Sequence, residues 1–418
     1  MDRELIKQII GENQEFVQQV KLQRRPFTFE ENGNYVFLGI RRAGKSYLMY
    51  QRIHELLQKG VQIEEILYIN FEDERFIGLD TDGLDAIKRA YEEIYPYRPY
   101  FFLDEVQVIP GWEKFVRRLA DKGYRVYVTG SNAKILSSEI ATTLGGRFLV
   151  QTVYPFSFAE YLELVSIRLK PNWFYTPSVR NEVIRAFDTY FYYGGFPELA
   201  VFEDKRSWLS GLYQKIFFGD LVARYSLRNA DSMRLLVKKL AESVMQPSSY
   251  NRLKNIISSA GESIATRTVI EYVGYLQETW LLFSLENYAA RFAERESNRK
   301  YYFLDNGILN LFIFRPETLL LENLVAVSLY KLYGDSLYFY NQNVEADFYV
   351  PEKNWLVQAS YNISDMQTFN REVNGLVKVA KFLQAEKLQI VTRNEERTIE
   401  QEGFSIEVLP VWKWILSL

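Results

Sequence analysis

The octapeptide Gly39-Ile40-Arg41-Arg42-Ala43-Gly44-Lys45-Ser46 restricts the fold of this chain more than any other feature. It fits the pattern G-x-x-x-x-G-K-[ST]. It also lies between an apolar run, Tyr35–Leu38, and a segment, Ser46–Lys59, in which Leu48, Ile53, Leu56 and Leu57 recur with helical spacing. Gly60 follows that segment as a helix stop. A strand, a glycine turn and a helix in this order let successive backbone N–H groups turn inward as an anion nest, and the helix N-terminus adds partial positive charge. The pattern therefore predicts a phosphate site built from Gly39, Arg41, Arg42, Ala43, Gly44, Lys45, Ser46 and Tyr47. In it Lys45 reaches the β- and γ-phosphates and Ser46 ligates Mg²⁺.

A second motif fits the first. Tyr100-Phe101-Phe102-Leu103-Asp104-Glu105 is an apolar strand ending in paired carboxylates, 59 residues after Lys45 to its first acid. In a doubly wound sheet such a strand end lies at the carboxyl edge beside the phosphate loop. Asp104 is then expected to hold the metal through its water shell, and Glu105 to polarise an attacking water. The strand Arg125–Thr129 ends in Gly130-Ser131-Asn132; Ser131 and Asn132 read equally as γ-phosphate or water contacts and as a plain turn. Arg147, after Gly145-Gly146, reads either as an arginine finger for a neighbouring subunit or as a solvated surface residue. The acids of Asn70–Arg75 either frame the site or form a solvated loop.

Composition narrows the chemistry. The 418 residues carry 50 Lys+Arg against 53 Asp+Glu, a net charge of −3, so a general polyanion-binding protein is excluded and any nucleic-acid contact must be local. There is no Cys and only one His, His54, which removes disulfides, thiolate nucleophiles and sulfur- or histidine-rich metal sites. The 30 Tyr and 29 Phe read as core filling. The first ten residues lack a signal-peptide h-region and no apolar run reaches 18 residues, so the expectation is a soluble cytoplasmic protein without membrane contact.

The first third alternates strands (Tyr35–Leu38, Ile66–Asn70, Tyr100–Leu103, Arg125–Thr129, Phe148–Val153) with helical patterns, which predicts a parallel sheet covered on both faces. From about Pro155 to Ser232 helical periodicity dominates, interrupted by Pro171, Pro177 and Gly194-Gly195. Met233–Leu285 reads as three helices and a strand. The last hundred residues return to strands near Leu337–Tyr340, Asp347–Val350, Trp355–Ala359 and Leu388–Thr392, with a helix near Arg371–Gln384.

Taken together, GIRRAGKS, YINFEDERF, FFLDEVQ, VTGSNA and YGGFPE resemble the prokaryotic AAA+ family of ATPases that carry a C-terminal region of unassigned function. The resemblance spans nearly the whole chain. It implies an α/β fold: a P-loop AAA+-type αβα core with a parallel sheet over residues 1–155, a helical lid or connector over 156–232, a winged-helix-like domain over 233–305, and a C-terminal restriction-endonuclease-like α/β domain over 306–418. It implies ATP as the nucleotide with Mg²⁺, Lys45 and Ser46 as Walker A residues, and Asp104 and Glu105 as the Walker B pair. Sensor 1 falls at Ser131 or Asn132, and the finger at Arg147.

Two parts of that plan can be weighed on their residues. Met233–Met245, Ser249–Ser258 and Ala265–Leu276 give three helices, and Trp280–Leu285 and Arg299–Leu304 pair as a hairpin. Ten Lys+Arg stand against seven Asp+Glu between Met233 and Lys300, a net of +3. The groove-facing helix of a helix-turn-helix would be Ala265–Leu276, whose Thr266, Arg267 and Thr268 are a thin set for reading bases. Duplex DNA contact and a structural or protein-binding role therefore stand as equal readings. In the last region, a metal-dependent nuclease needs acids followed by (D/E)-x-K on a strand. Glu322, Glu345 and Asp347 supply acids, but Gln358 stands where the second acid belongs and Ser360 where lysine belongs, so the region reads as non-catalytic.

Three functions remain. The first is a slowly hydrolysing ATPase that couples nucleotide state to its later domains, with protein partners or self-association open. The second is a switch gated by ATP or ADP with negligible hydrolysis. The third is an ATP-dependent nuclease, against which Ser360 argues.

Overall fold

A computed structural model describes residues 2–132 and 142–418. The chain divides into two compact units, Met1–Tyr154 and Pro155–Leu418.

The first unit contains α1 (Arg3–Gln19), β1 (Asn34–Leu38), α2 (Lys45–Gln58), β2 (Ile66–Asn70), α3 (Thr81–Ile94), β3 (Tyr100–Asp104), α4 (Trp112–Asp121), β4 (Arg125–Gly130) and β5 (Phe148–Thr152). The five strands form one sheet in the order β2-β3-β4-β1-β5, every neighbouring pair parallel. Successive strand residues point to opposite faces, yet all of β1 and four of the five residues of β2 and of β3 are buried. Both faces are therefore covered, as the near-continuous apolar runs require. Only the edge strand β5 is open, with Leu149 and Val150 exposed.

Aromatic rings fill the space beneath β1. Phe102 and Tyr127 stack with centroids 4.5 Å apart, and Tyr35 stacks on Tyr127 at 5.9 Å. The buried guanidinium of Arg52 on α2 donates to Tyr127 Oη (3.0 Å) and lies over the Phe29 ring, which ties the helix after the glycine turn to the sheet. The single histidine has a structural place: His54 Nε2 donates to Val17 O of α1 at 2.7 Å.

The second unit begins with α5 (Phe158–Leu164), α6 (Pro177–Tyr193) and α7 (Lys205–Lys215), the last running into a π-helical stretch, Ile216–Ala223. Pro177 takes the first turn of α6, where its missing N–H costs nothing. There follow α8 (Ala230–Glu242), β6 (Ser248–Ser249), α9 (Tyr250–Ser259), α10 (Thr266–Glu278), β7 (Leu282–Asn287), α11 (Phe292–Ser297), β8 (Asn298–Phe303) and α12 (Asn306–Leu309). The chain then forms α13 (Glu317–Tyr333), β9 (Tyr338–Asn341), β10 (Glu345–Val350), β11 (Trp355–Ala359), α14 (Met366–Leu383), β12 (Lys387–Thr392), β13 (Arg397–Gln401), β14 (Phe404–Pro410) and α15 (Val411–Trp414). Strands β13 and β14 lie beyond those expected from the sequence.

One nine-stranded sheet, β13-β14-β12-β11-β10-β9-β7-β8-β6, runs through the second half of this unit. The hairpin β7–β8 joins it through a short parallel pairing, Glu286 with Tyr338 and Asn287 with Phe339. Asn287 knits the junction: its amide donates to Asn341 O (2.6 Å) and its Oδ1 accepts from Asn341 N (3.0 Å). The segments 233–305 and 306–418 thus share a sheet.

The YGGFPE motif also has a structural explanation. Asp305 is buried against Gly194-Gly195 and accepts from Gly195 N and Gly307 N, both at 2.8 Å. A Cβ on Gly194, whose φ is +78°, would lie 2.0 Å from Asp305 Oδ1, so only glycine lets the carboxylate approach.

Candidate nucleotide site

Because the five strands of the first unit are parallel, the segments that leave β1, β3 and β4 emerge at the same, carboxyl, edge of the sheet. After β1 the chain turns through Gly39 (φ +148°) and Arg42 (φ +64°) to Gly44 (φ +98°), which caps α2. A Cβ on Gly39 would meet Val153 O at 2.1 Å, so the start of the turn must be glycine. Arg25, absent from the sequence-based reading, braces this loop. Its Nη1 donates to Ala43 O (3.2 Å) and Tyr154 O (3.0 Å), while Gln51 of α2 holds its backbone from both sides. Arg41 pairs with Glu72, which connects the loop to the segment after β2.

Lys45 is buried at the head of α2. Its Nζ donates to Gly39 O (3.1 Å) and Ile40 O (3.2 Å) and lies 3.5 Å from Glu105 Oε1. Ser46, the next residue, faces Asp104 and favours its charged form. The other contacts of Asp104 are Tyr68 Oη, which donates to Oδ2 at 2.8 Å, and Thr129 Oγ1, which donates to Oδ1. Thr129 holds both residues of the acidic pair, since its hydroxyl also accepts from Glu105 N at 2.7 Å. Tyr68 in turn meets Tyr50 of α2, Oη to Oη, at 2.9 Å. Tyr68 is the second residue that sequence reasoning missed.

Glu105 ends β3 in the left-handed region, φ +51° and ψ +39°, a conformation that costs a non-glycine residue on the order of 1 kcal/mol and clusters at functional sites. Its carboxylate accepts from Gln107 Nε2 (2.5 Å), whose amide also reaches Ser131 Oγ (3.4 Å). Burial works against its charge, but Lys45, Gln107, Arg41 and Ser131 outweigh burial and hold Glu105 below the ordinary carboxylate range. Asp104 moves the other way. Burial and the charge of Glu105 push it up, against the pull of Thr129, Ser46 and Tyr68. The pair is thus split into an ionised glutamate and an aspartate whose charge calls for a cation.

The sequence-predicted residues Gly39 to Ser46, Asp104, Glu105 and Ser131 therefore meet at one edge, with Asn132 buried directly after Ser131. Tyr47 is 53% exposed on the first turn of α2, its ring edge-on to Tyr50 at 5.5 Å. Arg147 lies elsewhere. It precedes β5, whose first residue Phe148 pairs with Asn34, the first residue of β1, so it stands at the amino edge of the sheet. There it is exposed and ion-paired with Asp121; within one chain it does not join the site.

The acids predicted in the last region also converge. Glu322 of α13, Glu345 and Asp347 of β10 surround Lys300 of β8, whose Nζ lies 3.4, 3.0 and 3.2 Å from them. Gln358 Oε1 accepts from Asp347 N (3.1 Å), and Ser360 turns to Asn362 O (3.4 Å). The lysine that faces these acids comes from β8.

Residues 31–162 match a family described as an AAA domain, and residues 184–318 match a domain of unknown function, DUF8612. An uncharacterized protein of Methanocaldococcus jannaschii, MJ1544, is 30% identical over 431 residues, covering 99% of this chain and 95% of that protein. An uncharacterized protein of Haemophilus influenzae is 30% identical over 278 residues, covering 65% of this chain and 67% of that protein. Among solved structures, the Walker-type ATPase PABY2304 of Pyrococcus abyssi is similar over 74% of this chain and 95% of its own, with 14% identity and a TM-score of 0.38. No helix among the described residues is long and apolar enough to cross a membrane.

Proposed function

This chain belongs to one family with the Methanocaldococcus jannaschii protein and carries an AAA domain, and from that premise we propose that it binds ATP with Mg²⁺ and hydrolyses it slowly at the head of α2. One observation supports the reading above the others: Lys45 and Ser46 on one element contact Glu105 and Asp104 on another, pair by pair. Ser46 and Asp104 offer hard oxygen donors that face each other, which suits Mg²⁺. When bound, the ion neutralises charge on the β- and γ-phosphate oxygens.

The residues of this chain do the rest. The turn from Gly39 to Gly44 presents backbone N–H groups to the phosphates, with Arg25 keeping the loop in place. Lys45 exchanges the carbonyls of Gly39 and Ile40 for phosphate oxygens. That exchange also removes the cation from Glu105, whose ionised carboxylate is then available to accept a hydrogen bond from the attacking water and polarise it. Gln107 links the Glu105 carboxylate to Ser131, and we assign Asn132 beside it to sensing the terminal phosphate. Tyr47 stands on the open side of the helix, where a base edge can lie. Arg147, at the opposite sheet edge, completes a site only by reaching a second copy.

The segment 233–305 runs helix, strand, helix, helix, strand, short helix, strand, and we read it as a winged helix whose wing, β7–β8, carries α11 at its tip. On α10, Arg267 is 90% exposed in its side chain but pairs with Glu271 (3.2 Å), which reduces the positive charge offered to DNA. The Lys45–Glu105 pair favours a second reading, a nucleotide-gated switch whose base is engaged until ATP arrives. Phosphate release measured across protein concentration, with and without duplex DNA, separates these. Specific activity rising with concentration supports Arg147 acting between copies, stimulation by DNA identifies an effector, and no turnover under any condition leaves the switch.

A further inference from the structure

The second unit contains a cation site of its own kind. Lys300 is fully buried, and its ammonium is ringed by carboxylate oxygens of Glu322, Glu345 and Asp347 at 3.4, 3.0 and 3.2 Å. The ammonium donates to Glu322 and to Asp347, and Glu345 completes the ring as an ion pair. The surroundings are specific. Tyr302 Oη donates to Glu322 Oε1 (2.8 Å), Ala359 N donates to Asp347 Oδ2 (3.0 Å), and the Phe339 ring lies 5.6 Å from the ammonium. A further observation is independent of the ring of acids: Glu322 Oε2 is buried and meets no hydrogen-bond donor among the described residues. The site thus has one more buried oxygen ligand than its cation can use.

Three acids facing one ammonium leave a net negative charge, which burial relieves by pushing Glu322 up to about 8, with Asp347 adding to the rise. A divalent ion at the same point would balance the acids more completely and could take the spare Glu322 oxygen. Among the described residues no three carboxylates converge at metal-binding distance. Lys300 is the physical reason, because N–H···O contacts of 3.0–3.4 Å hold the oxygens farther apart than a metal does. Ca²⁺, which takes oxygens at roughly 2.3–2.6 Å, demands less contraction than Mg²⁺ at roughly 2.0–2.1 Å. Glu345 is half-exposed and gives the seat a way in from solvent.

We infer that Glu322, Glu345 and Asp347 form a divalent-cation seat in which the ammonium of Lys300 takes the place of the metal. The natural chain then needs a metal only at the phosphate loop, and loss of the Lys300 charge turns the seat into a binding site for Ca²⁺ or Mn²⁺.

The test uses the full chain carrying Ser46→Ala, which silences the phosphate-loop metal site, with no nucleotide present. Thermal unfolding and Mn²⁺ titration followed by electron paramagnetic resonance are compared for Lys300, Lys300→Met, and Lys300→Met combined with Asp347→Asn. The expected result is no metal response with Lys300 in place, a saturable rise in midpoint and in bound Mn²⁺ for Lys300→Met, and loss of both in the double variant. A folded Lys300→Met protein that ignores both ions overturns the inference. So does a metal response with Lys300 present that Asp347→Asn removes. Should Lys300→Met not fold alone, refolding from denaturant becomes the readout: recovery with Ca²⁺ supports the seat, and failure with and without it counts against it.

Discussion

Lys45 Nζ lies 3.5 Å from Glu105 Oε1, with both side chains buried at the carboxyl edge of the parallel sheet. The pair joins the residue proposed to hold phosphate to the residue proposed to polarise water, so ligand at one changes the electrostatics of the other. A lysine drawn to phosphate no longer neutralises the glutamate. In the proposed function this pair couples nucleotide binding to readiness for hydrolysis.

Glu105→Gln keeps the shape and the hydrogen-bonding capacity of the side chain but removes its charge. Phosphate release should fall by roughly 10²–10⁴-fold, the usual worth of a positioned general base, while affinity for a non-hydrolysable ATP analogue is kept or rises because Lys45 has lost a competing partner. Equal phosphate release by variant and parent would contradict the role given to Glu105.

Tyr68→Phe removes the donor to Asp104 Oδ2 and leaves Tyr50 Oη without its contact to Tyr68. Loss of one hydrogen bond at a buried carboxylate should lower unfolding free energy by about 1–3 kcal/mol, read from urea denaturation. The Mg²⁺ concentration for half-maximal turnover should rise, with the KM for ATP at saturating Mg²⁺ little changed. An unchanged Mg²⁺ requirement would show that Tyr68 does not position Asp104.

Asp305 gives a pH signature in the second unit. Burial raises its carboxyl to about 6 from the ordinary 3.8, against hydrogen bonds from Gly195 N and Gly307 N that favour the charge. Between those values the folded chain holds a proton that the unfolded chain has released, so the contribution of this group to stability is complete below the lower value. It is lost as pH rises through the window, by about 3 kcal/mol in all. Unfolding free energy of the parent minus that of Asp305→Asn should therefore decrease from pH 4 to pH 7; an increase would mean the carboxylate is stabilised by its pocket.

Much of the first unit can be read from the sequence because its determinants are local. Apolar runs mark all five strands to within a residue or so at each end, and the motif Gly39–Ser46 states its own strand–turn–helix context. Arg25 and Tyr68 could not be found that way. Arg25 acts through backbone carbonyls of Ala43 and Tyr154, and Tyr68 is one of 30 tyrosines distinguished only by where β2 lies beside β3. In the second unit the acids of the last region were legible, while Lys300 was not, because it meets Glu345 and Asp347 across a sheet whose β7–β9 pairing spans only two residue pairs. Strand β13 is an exposed, charged edge with little apolar signal. In β14, by contrast, Ile406 and Val408 alternate with polar residues, a pattern within reach of periodicity.

In the proposed function ATP settles in the glycine turn through Lys45. Equilibrium binding of a fluorescent ATP analogue in the presence of Mg²⁺, compared between parent and Lys45→Ala with matched thermal stability, tests it most directly. The expected result is saturable binding by the parent that unlabelled ATP displaces, and an affinity at least about tenfold weaker in the variant, as loss of a charge-assisted contact of about 1.5–3 kcal/mol implies. Undiminished binding by Lys45→Ala, or no binding by the parent, would contradict it.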